Sequence, residues 1–427
     1  MEHRYDVLVL GAGAAGLMAA WELSAAGRSV ALIEARGRTG GRVHSFHEPG
    51  FSLPIELGAE FVHGELPLTR HWRERAVLGQ YAVSGSIWQY KGGRLQQQED
   101  FIEEEDALEK VWPQVPEDLP VGTLLDRFLQ GARHEELRFT LRRYVEGYYA
   151  GNLEQASSFA LRRELEGEDE AQYRLETGYG PLLTAIDTEC AHQGVFFCLN
   201  TPIRSVQWCP GSVRLTATDG RTFVGGALVC TVPIGTWQAG DIEWAPALPA
   251  KEAAARQLGF GPVLKLVLRF RDRFWAEGAT RADLNFLFSD TDIPAWWTAV
   301  PKNEALLTAW LGGPNAAAFR DLPKDALVEK ALANLAQIFG REQHWLRGQL
   351  VSAHYHNWSQ DPYCRGGYSF EVVEGPRWQA ELSAPVDSTL YFAGEGLLPG
   401  PKIGTVEAAL QTGQAAARQL VADHPRT

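Results

Sequence analysis

The stretch from Tyr5 to Gly16, YDVLVLGAGAAG, decides the fold of this chain. Its first half is a short apolar run of the kind that forms a buried parallel strand. The run leads directly into a Gly-x-Gly-x-x-Gly spacing at Gly11, Gly13 and Gly16. The first glycine permits a tight turn, the second lets a phosphate approach the backbone, and the third lets the following helix pack on the strand. The pattern predicts a site for the pyrophosphate of a dinucleotide at the helix N-terminus.

A second strand and an acidic residue follow at the spacing that such a site requires. The first helix stops at Gly27, Ser29 to Ile33 (SVALI) predicts the next strand, and Glu34 stands at its end. A carboxylate here accepts hydrogen bonds from ribose hydroxyls and repels a 2′-phosphate, which favours NAD or FAD over NADP. These residues alone leave NAD and FAD open.

Composition narrows the class of protein. With 427 residues, 45% of them hydrophobic, the chain can bury a large core, and we expect two or three domains. A net charge of −13 without a basic cluster disfavours nucleic acid as a partner.

Apolar stretches of strand length and an N-terminus without a leader pattern predict no membrane span. Five cysteines without a C-x-x-C pair predict a reduced, cytoplasmic protein with no disulfide framework, and we expect no metal site.

The C-terminal part of the chain repeats the strand, glycine turn and helix pattern of the N-terminal part. Leu390 to Ala393 predicts a strand, Gly394 and Glu395 a turn, and Gly404 to Leu420 an alanine-rich helix. A helix N-terminus beside a glycine-bearing loop is a second place for a phosphate or a flavin edge. Both termini would therefore build one domain.

Helical and strand patterns mix in the middle of the chain. Helical periodicity marks Leu108 to Tyr149, Pro181 to His192 and Leu322 to Phe339, whereas Leu264 to Phe270 alternates as a strand. A small strand group surrounds the turn at Asp219 and Gly220.

We expect an α/β fold with two domains. One is a Rossmann-like domain whose parallel sheet is discontinuous in sequence, and the other is an α+β substrate domain with a mixed sheet and flanking helices. The predicted dinucleotide domain comprises residues 1–76, 195–245 and 380–427. The predicted substrate domain comprises residues 77–194 and 246–379.

Five segments in a fixed order resemble one family. They are Ala35 to Arg42 (ARGRTGGR), Leu57 to Gly64 (LGAEFVHG), Gly261 to Trp275, Trp358 to Ser369 and Phe392 to Gly413. Together they resemble the flavin-containing amine oxidases, which include monoamine oxidases, polyamine oxidases and lysine-specific histone demethylases. The pattern is most similar to a bacterial polyamine-oxidase-like member, and this resemblance implies FAD rather than NAD.

The resemblance also implies which residues hold FAD. On the adenosine and pyrophosphate side they are Gly11, Gly13, Gly16, Glu34, Arg36, Gly41, Arg42 and, through its backbone at the adenine, Val206. Beside the isoalloxazine or ribityl chain they are Gly58, Ala59, Glu60, Phe61 and Trp358. From the C-terminal segment they are Gly394, Glu395, Thr405 and Val406.

Noncovalent binding of FAD is expected from the order of three residue types. Some family members attach FAD through a cysteine that lies between a glycine pair and a tyrosine. In this chain Gly366 and Gly367 run directly into Tyr368, and Cys364 comes before the pair.

The implied reaction is the oxidation of a primary or secondary amine, of which a polyamine is one candidate. A hydride equivalent passes from the carbon next to nitrogen to the flavin N5, the imine hydrolyses, and O2 reoxidises the flavin and yields H2O2. The resemblance assigns four residues to the reacting end. Lys265 matches a lysine that holds a water against the flavin N5, and Tyr368 matches one of two tyrosines that sandwich the amine. Thr405 stands at the other tyrosine position, and His63 matches a histidine at the substrate entrance.

Other functions stay open. One is a desaturase or isomerase of the same fold, against which Lys265 and the segment from Trp358 to Tyr368 argue; another is a flavin-binding module without turnover. An L-amino acid is a poorer substrate candidate, because Glu60 and Phe61 stand where an arginine would grip its carboxylate. Glu60 is expected to hydrogen-bond the flavin region, with a distant substrate ammonium as the alternative. The sequence does not choose the amine, the C–N bond that is oxidised or the oligomeric state.

Overall fold

The computed structural model describes residues 4–64, 66–98, 105–166, 171–276 and 281–426. Its strands are β1 (Arg4–Leu10), β2 (Val30–Ile33), β3 (Ser45–Phe46), β4 (Ile55–Glu56), β5 (Phe61–His63), β6 (Gln80–Ala82), β7 (Ser86–Lys91), β8 (Arg94–Gln98), β9 (Gln172–Leu175), β10 (Phe196–Cys198), β11 (Ile203–Cys209), β12 (Ser212–Ala217), β13 (Thr222–Cys230), β14 (Glu243–Ala245), β15 (Gly259–Gly261), β16 (Val263–Phe270), β17 (Leu284–Ser289), β18 (Ala295–Thr298), β19 (Leu306–Gly312), β20 (Leu350–Asn357), β21 (Tyr368–Phe370) and β22 (Leu390–Phe392). Its helices are α1 (Ala14–Ala25), α2 (Pro67–Arg75), α3 (Glu105–Val111), α4 (Val121–Phe128), α5 (Glu135–Arg143), α6 (Ser158–Glu166), α7 (Gly180–His192), α8 (Ile234–Ala239), α9 (Pro249–Gln257), α10 (Gly313–Ala318), α11 (Lys324–Phe339), α12 (Gln343–Gln349), α13 (Gly375–Ser383) and α14 (Val406–Asp423).

The first sheet has eight strands and draws on three distant parts of the chain. Its order is β10-β2-β1-β13-β12-β11-β14, and β22 also pairs with β13. The strands β10, β2, β1, β13 and β22 run parallel, whereas β12 is antiparallel to both of its neighbours. The sheet is therefore mixed at one side. The expected sheet that is discontinuous in sequence is confirmed, and the turn at Asp219 and Gly220 joins β12 to β13.

Helices cover both faces of this sheet. On one face α1 packs against α14 and α7, and a core that includes Leu17, Leu182 and Leu410 joins them to β1 and β2. On the other face α9 packs against α13. The helix α7 belongs to the stretch 77–194 that the sequence assigned to the substrate domain, but its apolar face is buried against α1. The predicted domain boundaries stay a prediction.

The second large sheet has seven strands in the order β20-β16-β19-β18-β17-β7-β8. The pair β17 and β7 is parallel, and the other pairs are antiparallel. Apolar side chains of α11, such as Leu327, Leu332 and Leu335, fill a core against one face of this sheet. The expected mixed sheet with flanking helices is confirmed.

The stretch from Leu108 to Tyr149 is helical but broken. It contains α3, α4 and α5, and α5 continues into a π-helical turn over Tyr144–Tyr148. Such turns widen a helix by one residue and occur frequently at functional sites. Ala150, which follows, has a positive φ of 51° and is 1% exposed. The periodicity predicted the helices, but not the turn in which Tyr144 and Tyr148 stand.

Two general properties concern the described residues. None of their helices combines the length and the apolar character needed to cross a bilayer. All five cysteines are free thiols, of which Cys209 is exposed and the others are buried.

A test of the fold concerns Gly413, where α14 crosses α1. A Cβ at this position would lie 2.2 Å from the carbonyl oxygen of Ala15, so backbone must move to accept it. We expect Gly413→Ala to lower the free energy of unfolding by about 1–3 kcal/mol in urea titrations. The matched control is Gly348→Ala in α12, where a Cβ meets nothing within 4 Å. The control should be neutral or stabilising by up to about 1 kcal/mol, and equal losses in both variants would contradict this packing.

Candidate active site

A cavity of about 1160 Å³ lies between the two large sheets and receives residues from both. Pockets for one small ligand usually measure about 300–1000 Å³, so this cavity has room for a large ligand and a small one together. Of the predicted site residues, all except Gly16 and Val206 line it. Those that line it are Gly11, Gly13, Glu34, Arg36, Gly41, Arg42, Gly58, Ala59, Glu60, Phe61, His63, Lys265, Trp358, Tyr368, Gly394, Glu395, Thr405 and Val406.

The first glycine turn has the shape that a phosphate site needs. Gly11 has a φ of 102°, which L side chains rarely adopt, and Gly13 stands directly before α1. A Cβ on Gly13 would meet nothing within 4 Å, so this backbone borders open space in the cavity. A Cβ on Gly16 would lie 1.8 Å from the carbonyl oxygen of Gly11. Gly16 therefore permits the close helix packing predicted for it and does not face the cavity.

Glu34 is held in place by the backbone. One carboxylate oxygen accepts a hydrogen bond from the Ala12 N–H at 2.7 Å, and the other accepts from the Arg36 N–H at 2.8 Å. Each oxygen of an ionised carboxylate can accept a second bond. The side chain is thus oriented and still able to accept from hydroxyl groups of a ribose.

Two predicted cofactor arginines are paired with carboxylates. Arg36 donates to Asp361 at 2.6 Å and also contacts the Cys364 sulfur at 3.1 Å. Arg42 donates to Glu395 at 2.5 Å and to the Gly367 carbonyl at 2.8 Å. These bonds tie the loop after β2 to segments more than three hundred residues away.

Val206 lies apart from the cavity wall. It is fully buried in β11, where it pairs with Leu215 of β12. Ile203 and Arg204 of the same strand line the cavity. The assignment of Val206 to the adenine stays a prediction, and Arg204 is a lining residue that sequence reasoning did not single out.

The residues at this end of the cavity fit an adenine dinucleotide. An open glycine turn at a helix N-terminus suits a pyrophosphate, and a fixed carboxylate at the end of β2 suits a ribose. Gly394 offers a second stretch of backbone where a Cβ would meet nothing within 4 Å. The donor set would therefore suit the ribose and the pyrophosphate of a dinucleotide.

Lys265 lies in β16, at the end of the cavity away from the glycine turn, and is 1% exposed. Its ammonium donates to the Glu60 carboxylate at 2.7 Å and to the Gly58 carbonyl oxygen at 3.2 Å. It also lies 5.3 Å from the centre of the Trp297 ring. Glu60 is thus in contact with the predicted catalytic lysine, a contact that sequence reasoning did not anticipate.

Glu60 receives two further donors. Arg174 Nε donates to one carboxylate oxygen at 2.9 Å, and Trp297 Nε1 lies 3.1 and 3.2 Å from the two oxygens. Burial alone would raise the pKa of the Glu60 carboxyl, but the charges and hydrogen bonds of Lys265 and Arg174 outweigh it and hold the pKa below its ordinary value. Arg174, which is 4% exposed, was missed at the sequence level because a single arginine in an alternating strand carries no signal.

Two other titratable groups near this end are shifted toward their neutral forms. Burial raises the pKa of Glu56 to about 7, although it accepts hydrogen bonds from Ser45 and the Tyr179 N–H. Burial lowers the pKa of His63 to about 4, so His63 is neutral at pH 7. No group of three or more His, Cys, Asp and Glu side chains in the described part of the chain is arranged to hold a metal ion.

Aromatic rings form a continuous wall around the reacting end. Neighbouring ring centres lie 5.5 to 6.3 Å apart, within the range of favourable aromatic contacts. The hydroxyl of Tyr368 donates to the carbonyl oxygen of Tyr148, which closes the wall. The successive pairs are Tyr368 and Trp310, Trp310 and Trp297, Trp297 and Phe61, Phe61 and His63, and His63 and Tyr148.

The second sheet provides the floor of the cavity. Residues directly opposite each other in a sheet point to the same face, and neighbouring strands lie about 4.8 Å apart. One such row crosses five strands and therefore spans on the order of 15–20 Å. The row consists of Lys265, Trp310, Ala295, Phe288 and Gln89, all of which line the cavity.

Thr405 caps α14. Its hydroxyl accepts a hydrogen bond from the Ala408 N–H at 3.1 Å and donates to the Lys402 carbonyl at 2.6 Å. The residue lines the cavity as predicted, and its hydroxyl uses its donor and one of its two acceptor sites within its own segment. Val406 follows as the first residue of the helix, so a helix N-terminus borders the cavity from this side.

Comparisons with known proteins agree on one family. The model of the flavin containing amine oxidoreductases matches residues 14–421. Polyamine oxidase 3 of Oryza sativa subsp. japonica is 28% identical over 98% of this chain and 89% of its own length. Lysine-specific histone demethylase 2 of Homo sapiens is 26% identical over 92% of this chain and 50% of its own length.

Solved structures show the same fold. A putrescine oxidase bound to putrescine superposes with a TM-score of 0.81 at 19% identity, and covers 99% of this chain and 100% of its own. The cyclohexylamine oxidase of Brevibacterium oxydans IH-35A gives a TM-score of 0.81 at 20% identity with the same coverage.

The capping contact of Thr405 can be tested by substitution. Thr405→Val removes the acceptor of the Ala408 N–H and should lower the free energy of unfolding by about 1 kcal/mol in urea titrations. Thr405→Ser keeps the hydroxyl and should stay close to the parent protein. A loss in Thr405→Ser without a loss in Thr405→Val would show that Thr405 contributes through its methyl group rather than through the cap.

Proposed function

This chain belongs to the flavin-containing amine oxidoreductases, and on that premise we propose that it oxidises a primary or secondary amine with noncovalently bound FAD. The observation that carries the proposal is a single cavity in which the glycine turn and Glu34 lie at one end and the buried ammonium of Lys265 lies at the other. That arrangement provides a dinucleotide site and a substrate site that meet.

FAD would be held by this chain's own fixed groups. Gly13 and the start of α1 would face the pyrophosphate, and Glu34 would accept from the ribose. When bound, FAD supplies the acceptor for the hydride equivalent that leaves the carbon next to the amine nitrogen. Cys364 supports noncovalent binding, because its sulfur contacts Arg36 at 3.1 Å and burial raises the pKa of its thiol, which disfavours the reactive thiolate.

The charges at the reacting end favour a neutral amine. Two cations, Lys265 and Arg174, share one carboxylate, that of Glu60. Glu56 adds little negative charge below its pKa of about 7. An excess of positive charge disfavours the ammonium form of a substrate and thus leaves the nitrogen lone pair free.

The aromatic wall orients the amine and excludes water. The rings of Tyr368, Trp310 and Trp297 lie in a series beside Lys265. Such a wall favours an apolar group next to the reacting carbon. The tyrosine and the lysine that the resemblance implies are thus brought together with two tryptophans.

Two classes of amine are candidates for the substrate. The polyamine oxidases among the relatives favour a polyamine, whose distal ammonium would need a carboxylate. Glu60 is already bound by Lys265 and Arg174, whereas Glu136 and Glu371 of the cavity wall are paired with Lys91 and Arg163. A distal ammonium would share one of these carboxylates or meet Asp290 of the cavity wall, which accepts a hydrogen bond from the Gly92 N–H. The aromatic lining favours the second class, an amine with an apolar body, as in the neighbour that is a cyclohexylamine oxidase.

Amine oxidation ranks above the alternatives left by the sequence. A desaturase or isomerase would not need the buried ammonium of Lys265, and a flavin-binding module without turnover would not need a substrate compartment beside the dinucleotide site. We also propose a cytoplasmic location, which the five free thiols support, since disulfides are rare there.

An amine panel under anaerobic and aerobic conditions tests the function. We expect the purified protein to be yellow, to bleach without oxygen when its amine is added, and to regain colour in air with release of H2O2. The panel should contain spermidine, putrescine, cyclohexylamine and an aralkyl amine, because these separate the two substrate classes. A yellow protein that no amine bleaches would contradict the proposal.

The role of Lys265 can be tested with Lys265→Met. We expect FAD to stay bound. The rate of flavin reduction or of flavin reoxidation should fall by about 100-fold or more, because the loss of a positioned group that transfers protons typically slows a reaction by at least this factor. Stopped-flow absorbance of the flavin measures both rates. The matched control is Lys251→Met, which removes a lysine that is 4% exposed and donates to carbonyls of Glu381 and Ala384 outside the cavity. An unchanged rate in Lys265→Met would refute the assignment.

A further inference from the structure

The ammonium of Lys265 is fixed by contacts that leave one direction open. An ammonium has three N–H donors. One is directed to the Glu60 carboxylate at 2.7 Å and another to the Gly58 carbonyl oxygen at 3.2 Å. Among the described residues these are the hydrogen-bond acceptors of Lys265. The third N–H is therefore available to an acceptor in the cavity.

The Glu60 carboxylate is itself anchored by two other elements. Arg174, in β9, donates to Glu60 and also to the carbonyl oxygens of Thr298 at 3.1 Å and Val300 at 3.2 Å. Trp297, in β18, directs its indole N–H at the same carboxylate. The carboxylate thus joins the small sheet of β5, β9 and β6 to the seven-stranded sheet, and cannot move without breaking bonds to both.

The charges require Glu60 to stay ionised. Lys265 and Arg174 are buried, and each would be an isolated cation in the wall without this carboxylate. An uncompensated buried charge either draws in water or moves the side chain toward solvent. Loss of the Glu60 charge would therefore displace the Lys265 side chain, and this displacement would be its main effect on the cavity.

We propose that Glu60 is a positioning residue for Lys265, held in place by Arg174 and Trp297. The proposal rests on the proposed function of this cavity in amine oxidation. It differs from the two roles considered from the sequence, which were a hydrogen bond to the flavin region and a site for a distant substrate ammonium. In this structure both carboxylate oxygens are engaged by protein donors, and Glu60 acts through Lys265.

A double-mutant cycle tests whether Glu60 acts through Lys265. The variants are Glu60→Gln, Lys265→Met and their combination, each prepared as the FAD-loaded protein. We expect Glu60→Gln to slow flavin reduction by the best amine at least tenfold, with KM changed less than threefold. In the Lys265→Met background the same change should alter the rate less than twofold, because the group that Glu60 positions is gone.

Two control variants separate charge from structure. Glu60→Asp keeps the charge and should recover part of the lost rate, but only when Lys265 is present. Glu56→Gln changes another buried carboxyl of the same segment, which is bound by Ser45 and Tyr179 instead of Lys265. It should slow flavin reduction by a smaller factor than Glu60→Gln does.

Readouts that need no amine keep the test independent of the proposed function. The first is the reoxidation in air of the dithionite-reduced protein, measured for the same variants. The second is a crystal structure of FAD-loaded Glu60→Gln, in which we expect the Lys265 ammonium to have left the Gly58 carbonyl oxygen. If no amine bleaches the parent protein, the proposed function fails, and these two readouts still decide on Glu60.

The outcomes separate as follows. Non-additive rates together with a displaced Lys265 support the positioning role. Equal slowing by Glu60→Gln in both backgrounds, or a Lys265 that keeps its place, overturns it. A KM that rises for putrescine and spermidine but not for cyclohexylamine also overturns it, since Glu60 would then bind a distal ammonium.

Discussion

An ionised side chain that is taken out of water must find an opposite charge, and this requirement connects the parts of the site. Arg36 pairs with Asp361, Arg42 with Glu395, and Lys265 with Glu60. Each pair joins segments more than two hundred residues apart. The loop after β2 is thereby joined to two C-terminal segments, and Glu60, next to β5, is joined to β16. The three ion pairs therefore link the parts of the chain that line the cavity.

The sharing of one carboxylate by two cations has a chemical consequence. If one cation and one carboxylate neutralised each other fully, the reacting end would neither attract nor repel a charged amine. With Lys265 and Arg174 on the single carboxylate of Glu60, positive charge is in excess, and under the proposed function the neutral amine would be the form that meets no repulsion. The wall of aromatic rings adds apolar surface beside these cations, where the body of an amine would pack. The choice of protonation state therefore rests on the three charged groups rather than on the rings.

The sequence predicted those parts of the site that depend on short stretches of chain. The glycine spacing, the strand before it and Glu34 after it are local, and the structure assembles them as β1, α1 and β2. Arg174 and Tyr148 could not be found in this way, since neither belongs to a motif and each reaches the cavity only through tertiary packing. The π-helical turn that presents Tyr148 has no periodic signature. Thr405 shows a limit of matching positions to a family pattern. It stands at the position of a family tyrosine, but in this chain its hydroxyl caps a helix.

One part of the cavity wall is built on a sheet and another on a helix and its end. Lys265, Trp310 and Trp297 stand on central strands of a sheet whose other face is packed by α11, so their positions are set by the core. The wall opposite this sheet comes from α5 and from the π-helical turn that contains Tyr144 and Tyr148. This wall is helical and is not part of a sheet. Trp310 Nε1 donates to the Gly147 carbonyl oxygen of this turn, so the turn is joined to the sheet by a side-chain hydrogen bond rather than by strand pairing. Under the proposed amine oxidation, the groups on the sheet would meet the reacting carbon, and the turn would meet the rest of the substrate.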